Sequence, residues 1–279
     1  MAERLGLIAG SGRFPLLVAE HARRAGLEVV SLALQGVTDP SLETLSYRLE
    51  WFRLGQVDAP VRYFREQGVR KAVMAGKVQH VSLFGGILPD LRAVRLLAGL
   101  KDKRTDTLLA AVAAEFAKEG VELLPSAAYL ADCLPSAGVL SSRKPTKEER
   151  ADIALGWKAA KAVSGFDIGQ SVAVQDGAVV AVEAMEGTDA MIERAGELAR
   201  SQGREPRLTL IKVAKPKQDP RFDLPVLGLG TLPRLEKAGA RCLAFEAGKT
   251  LLFDKTDFLR RADEIGLAVA AVSQEDFPS

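Results

Sequence analysis

The run Lys212-Val213-Ala214-Lys215-Pro216-Lys217-Gln218-Asp219-Pro220-Arg221-Phe222-Asp223-Leu224-Pro225 sets four cations, two carboxylates and three prolines between two hydrophobic stretches. Proline fixes φ and removes a backbone donor, so this segment is shaped, extended backbone rather than continuous helix or central strand. Charges on such backbone can converge on one point. Lysines and an arginine beside an acid suit a substrate phosphate: cations screen its charge, and a carboxylate holds a divalent ion or orients water. Upstream, Glu183-Ala184-Met185-Glu186-Gly187-Thr188-Asp189-Ala190-Met191 offers more acidic groups where a strand passes into a helix. A solvated connector and a helix cap at Thr188 are the ordinary alternatives, and the segment matches neither a P-loop nor a standard metal-ligand spacing.

Alternating elements must position these groups. Leu5 to Ala9 is an apolar run ending in Gly10-Ser11-Gly12 and leading into a helical pattern from Phe14. Strand signals at Glu28–Leu34, Lys71–Ala75 and 121–124 alternate with helical patterns at 59–66, 91–100 and 106–118, which predicts a parallel sheet with right-handed crossovers and ligands at the strands' carboxyl ends. Pro, Gly and Ser mark residues 134–145 as a linker. Beyond it Thr146 and Glu149 form a capping box opening a helix to about Val163, and Asp176-Gly177 joins two β-rich runs as a hairpin. Helix 189–202, strand 208–213, a helix near 232–238, strands near Cys242 and Leu251 and a last helix at 257–265 complete the reading. The expectation is α/β: an N-terminal Rossmann-like parallel-sheet domain (1–133), the linker, and a C-terminal mixed-sheet α/β domain (146–279) carrying the acidic motifs.

Composition narrows the function. With 279 residues, 47% hydrophobic and 27% charged, the chain is ordinary globular protein with room for two cores. A net charge of +2 with scattered lysines and arginines argues against nucleic acid. Two separated cysteines, Cys133 and Cys242, indicate neither a disulfide framework nor a zinc site, and a reducing cytoplasm fits best. The apolar run at the N-terminus is too short for a signal sequence, and no run of about twenty apolar residues occurs, so membrane contact is expected to be peripheral.

Gly10-Ser11-Gly12-Arg13-Phe14-Pro15 falls short of a dinucleotide fingerprint: Pro15 takes the third glycine position, and the second strand ends in Leu34-Gln35 without an acid for a ribose. A nicotinamide cofactor is therefore disfavoured, while a phosphate contact at Gly10, Ser11 and Gly12 and a purely structural turn both fit. Gly76-Lys77, after a strand, offers a cation at the sheet's binding edge or a solvated lysine. Asp167-Ile168-Gly169-Gln170 is a polar turn with the same two readings. His21 and His80 suit core-edge or surface positions, which leaves carboxylates as acid, base or metal ligands and favours Mg²⁺ or Mn²⁺. Leu83, Phe84, Ile87 and Leu88 are candidates for an apolar cleft or membrane contact, core packing being their commoner fate.

Taken in order, Leu5-Gly6-Leu7-Ile8-Ala9-Gly10, Asp167-Ile168-Gly169-Gln170, Glu186-Gly187-Thr188-Asp189-Ala190-Met191 and Lys215-Pro216 through Gln218 to Arg221-Phe222-Asp223-Leu224-Pro225 resemble the UDP-2,3-diacylglucosamine pyrophosphatases of LpxI type over nearly the whole chain. The resemblance implies Mg²⁺-dependent hydrolysis of UDP-2,3-diacylglucosamine to UMP and 2,3-diacylglucosamine 1-phosphate in lipid A biosynthesis. It also implies a ligand cleft between the two domains that holds the lipid, a homodimer touching the cytoplasmic face of the inner membrane, and an essential aspartate at Asp223. Joined to the residue chemistry, it assigns Asp223 to Mg²⁺ or the attacking water, Asp189 (also a metal ligand) or Glu186 to the acidic side, and Lys212, Lys215 and Arg221 to the phosphates. Thr188 offers a helix N-terminus to an oxyanion, and Gly10, Ser11, Gly12, Gly76, Lys77, Gln170 and Gln218 complete the substrate contacts. A nucleotide-lipid carrier and a Rossmann-type oxidoreductase are the competing classes.

Overall fold

The computed structural model describes residues 2–78, 89–100, 105–201, 203, 205–216, 219–222 and 224–277, with backbone alone at 105–106. The chain is mixed α/β and divides into two compact units: Met1–Ala131 with Asp219–Asp223, and Asp132–Gln218 with Leu224–Ser279. Among the described residues no helix is long and apolar enough to cross a membrane.

In the first unit, β1 (Arg4–Ala9), β2 (Glu28–Leu34), β3 (Arg48–Phe52), β4 (Lys71–Ala75) and β5 (Glu122–Leu123) form an all-parallel sheet in the order β3-β2-β1-β4-β5. The crossovers carry α1 (Phe14–Arg24), the short α2 (Leu42–Leu45), α3 (Asp58–Glu66), α4 (Leu91–Ala98) and α5 (Thr105–Lys118). Parallel strands covered by helices are written as apolar runs, as Glu28-Val-Val-Ser-Leu-Ala-Leu34 is. Strand order reverses between β1 and β4, which puts the loops after those two strands at the sheet's topological switch point. Val30, Leu32, Phe64, Ala72, Met74 and Phe116 belong to the core of this unit, and Phe222, from the proline-rich segment, packs against it.

The second unit is built on a six-stranded sheet in the order β6-β13-β11-β9-β7-β8: β6 (Gly138–Val139), β7 (Ser171–Gln175), β8 (Ala178–Val182), β9 (Leu208–Lys212), β11 (Ala240–Glu246) and β13 (Ala268–Val272). Strands β9, β11 and β13 are parallel, while β6, β7 and β8 join antiparallel. A two-stranded pair, β10 (Val226–Leu227) and β12 (Leu251–Leu252), stands apart. The β7–β8 turn has positive φ at both Asp176 and Gly177, the geometry of a two-residue hairpin loop. Helices α6 (Lys147–Gly165), α7 (Thr188–Ser201), α8 (Leu232–Ala238) and α9 (Lys255–Glu264) cover the sheet. The capping box of Thr146 and Glu149 is formed.

Period-two alternation sorts the strand residues between two cores. Ala173, Ala181, Leu208, Leu210, Leu243, Phe245, Val269 and Ala271 share a cluster with residues of α7, α8 and α9. Val172, Val174, Ile211, Cys242, Ala244 and Ala270 share the other with Ile153, Trp157 and Ala160 of α6. The strand β6 lies within the stretch read as linker, β12 is the strand expected near Leu251, and β3, β10 and β13 are elements that the sequence pattern did not announce.

Candidate functional site

At the switch point of the first unit, the two glycine loops pair with each other. The Gly10 N–H donates to the Ala75 carbonyl at 2.8 Å, the Ser11 N–H and hydroxyl both donate to the Lys77 carbonyl at 2.8 Å, and the Lys77 N–H returns to the Ser11 carbonyl at 3.1 Å. Only glycine permits this approach, because a Cβ at Gly76 would lie 2.7 Å from the Ser11 oxygen and one at Gly10 2.8 Å from the Lys77 oxygen. Gly10, Ser11, Gly76 and Lys77 are thus brought together, with the Gly10 and Ser11 amides engaged in the loop pair. Gly12 is exposed with φ of 88°.

In the second unit, parity directs the polar residues at the sheet edge. Lys212 continues the Leu208, Leu210 face of β9 and Ser171 the Ala173 face of β7, while Glu183, just past β8, continues the Ala181 face; all three turn toward the N-terminus of α7. Lys212 is 4% exposed and donates through Nζ to the Thr188 hydroxyl at 2.6 Å. That hydroxyl donates to Glu183 Oε1 at 2.9 Å, with the Ser171 hydroxyl 3.4 Å away. Glu183 is 7% exposed, and its Oε2 lies 3.4 Å from the Gln170 amide. Buried charge needs such partners, since desolvation penalises an isolated ion heavily. The Asp167-Ile168-Gly169-Gln170 turn is seated directly on Glu183: a Cβ at Gly169 would fall 2.0 Å from the Glu183 carbonyl oxygen. From the same turn Asp167, at positive φ, accepts from Lys215 Nζ at 2.5 Å. The Gln170 side-chain carbonyl is buried without a hydrogen-bond partner among the described residues.

On the opposite face of the sheet, Glu246 at the end of β11 follows Cys242 and Ala244 toward α6. Its Oε2 accepts from Lys161 Nζ at 2.5 Å and from the Ala214 amide at 2.8 Å, while Lys161 also donates to the Ala214 carbonyl at 3.1 Å. Lys249 approaches its other oxygen at 3.0 Å. Both backbone groups of Ala214, where the chain leaves β9 for Lys215-Pro216, are therefore held by this pair. Burial works to raise the Glu246 carboxyl, but hydrogen bonds from Lys161, Lys249 and Ala214 outweigh it and hold the group below the ordinary glutamate range.

Other predicted residues are placed differently. Glu186 is bound by Arg194 at 2.6 Å and by the Ala184 amide at 3.1 Å, and the Arg194 hydrogen bond holds its carboxyl below the usual value. Asp189, its side chain 55% exposed, lies 3.5 Å from Arg234. Arg221 grips Asp219 through Nε and Nη2, at 3.0 and 2.6 Å, and stacks over Phe222. Ser126 of the first unit fixes that segment by donating to the Pro220 and Arg221 carbonyls at 2.8 Å. Asp223, Gln218 and Lys217, together with His80, Leu83, Phe84, Ile87 and Leu88, lie outside the described residues.

No motif singles out Ser171, Lys161 or Glu246, and Glu183 opens the acidic stretch Glu183–Met191 without a role assigned to it. A signal existed for two of them: a charged residue closing an apolar strand at the carboxyl edge of a sheet, as Glu246 does after Cys242-Leu-Ala-Phe and Glu183 after Ala178-Val-Val-Ala-Val.

Comparison with known proteins spans both units. Residues 4–133 match the family model of the LpxI N-terminal domain and residues 136–270 that of the LpxI C-terminal domain. The UDP-2,3-diacylglucosamine pyrophosphatase LpxI of Caulobacter vibrioides is 35% identical over 281 residues, covering 99% of each chain. Among solved structures, the biotin carboxylase subunit of pyruvate carboxylase aligns over 74% of this chain and 41% of its own, at 11% identity and a TM-score of 0.26, a likeness too slight to inform fold or function.

Proposed function

Because the chain belongs to the LpxI family, we propose that it hydrolyses the pyrophosphate of UDP-2,3-diacylglucosamine to UMP and 2,3-diacylglucosamine 1-phosphate in lipid A biosynthesis. The observation that carries this reading is the end-to-end relationship with the Caulobacter enzyme. The second unit's sheet edge supports it, because a buried lysine, a hydroxyl and a helix N-terminus meet there.

Water adds to one phosphorus and the bridging oxygen departs on the other, so negative charge develops on the leaving phosphate and the non-bridging oxygens. Lys212 and Lys215, leaving the same strand, and Arg221 are the cations assigned to those oxygens. Thr188 and the first turn of α7 present N–H groups to an oxyanion.

A bound Mg²⁺, or Mn²⁺ in its place, supplies charge neutralisation for the pyrophosphate. Asp223 and Asp189 are the residues assigned to hold it. Asp189 fits a hydrated cation of this kind, being more than half exposed and in only distant contact with Arg234. Glu186 fits less well, because Arg194 and the Ala184 amide occupy both of its oxygens. The reading includes a homodimer in peripheral contact with the cytoplasmic face of the inner membrane. Exposed Phe166, Ile168 and Met185, close in sequence to the contacting residues Gly169 and Glu183, support a lipid contact beside the charged site.

The test is incubation of the purified protein with UDP-2,3-diacylglucosamine in ¹⁸O-water, with and without Mg²⁺, following both products by mass spectrometry. The expected result is UMP only with metal, the labelled product identifying the attacked phosphorus, and turnover nearly abolished in Asp223→Asn. Substrate bound but intact under every metal tried overturns the reading in favour of a carrier.

A further inference from the structure

We infer that Glu183 is a positioning residue for Lys212, acting through the Thr188 hydroxyl, and that this buried carboxylate fixes where the lysine presents its charge to the substrate's phosphates. The inference rests on the assignment of Lys212 to the phosphates.

Donor chemistry fixes the direction of the relay. An ammonium has three N–H donors and accepts nothing, so the 2.6 Å contact makes the Thr188 oxygen an acceptor. The hydroxyl's single proton is then directed at another acceptor, and Glu183 Oε1, at 2.9 Å, receives it. The carboxylate thereby holds the Thr188 lone pairs toward Lys212 and polarises the hydroxyl that receives it, as charge-assisted chains do. Glu183 is itself held from a second side. The Gly169 backbone lies against its main chain, at a distance that leaves no room for a Cβ, and the Gln170 amide faces Oε2. A residue serving only to cap α7 would not require this convergence on a buried lysine.

Steady-state hydrolysis of UDP-2,3-diacylglucosamine by the full chain tests the relay, with folding checked by circular dichroism and Tm. Glu183→Ala should lower kcat by about tenfold to a hundredfold while KM changes by less than about threefold. Glu183→Gln keeps an amide oxygen for the Thr188 proton and should stay within about fivefold of the parent. Lys212→Met should lose at least as much as Glu183→Ala, and the double variant little more than Lys212→Met alone. If Glu183→Ala does not fold, Thr188→Val cuts the same link and Thr188→Ser restores it. A folded Glu183→Ala within twofold of the parent beside an impaired Lys212→Met, equal losses for Ala and Gln, or losses that multiply in the double variant each overturn the positioning role. Full activity in Lys212→Met overturns instead the assignment of Lys212 to the phosphates, and the role of Glu183 with it.

Discussion

Replacing Glu246 by alanine removes the acceptor shared by Lys161 and the Ala214 amide and leaves a lysine and a backbone N–H facing a void. Stripping one partner from a buried ion pair costs about 3–5 kcal/mol. Here the Lys161 side chain is 22% exposed and can recover some hydration, so the expected loss is about 2–3 kcal/mol. For a unit of this size that lowers Tm by about 5–10 °C. A double-mutant cycle with Lys161→Met sharpens the test, since methionine keeps an apolar stem but removes the ammonium, which lies 5.0 Å from the centre of the Trp157 ring. A coupling of about 1–2 kcal/mol is expected from urea denaturation, and single effects that add to within about 0.5 kcal/mol would refute the clamp. The pH dependence follows from the same contacts. The folded-state carboxyl is held below its unfolded value of about 4.3, so its contribution is complete above that pH and is lost as pH falls through the folded value. The advantage of the parent over Glu246→Gln should therefore be constant from pH 6 to 8 and shrink below about pH 4.

Gly76→Ala should cost about 2–4 kcal/mol in chemical denaturation, since it combines a φ of 93° with backbone collision at Ser11. Gly12→Ala, at a similar φ but with open space around it, should cost only about 1–2 kcal/mol. Burial, with some help from Glu149, pushes the Cys242 thiol up to about 12, and burial with Asp132 takes Cys133 to about 11. Both should therefore resist a disulfide reagent at pH 8 in the native protein and react fully in guanidinium, and rapid native labelling of Cys242 would contradict its burial.

How far the sequence reveals this molecule depends on whether one element or several produce the feature. The β1 strand, its glycine turn and α1 are legible because an apolar run, two glycines and Pro15 speak for themselves, as do Asp176-Gly177 and the Thr146–Glu149 box. Strand β3 is not, because Arg48-Leu-Glu-Trp-Phe52 sits at a sheet edge with polar residues outward, and β13, Ala268-Val-Ala-Ala-Val272, reads equally as buried helix. The same distinction governs the site. Thr188, Lys212 and Lys215 were visible as charged or polar residues in odd company. The pairings were not, because Glu183 is linked to Lys212 through Thr188 only when β7, β8, β9 and α7 are in register, and Glu246 meets Ala214 only across β9 and β11. Strand parity is the missing step. Once Leu208 and Leu210 are assigned to the α7 face, Lys212 must follow them, and a buried ammonium there demands an acceptor. Cys242 and Ala244 likewise send Glu246 to the α6 face, where Lys161 waits. Motifs therefore locate the groups proposed to touch substrate, whereas the groups that hold them follow from alternation and from the cost of burying charge alone.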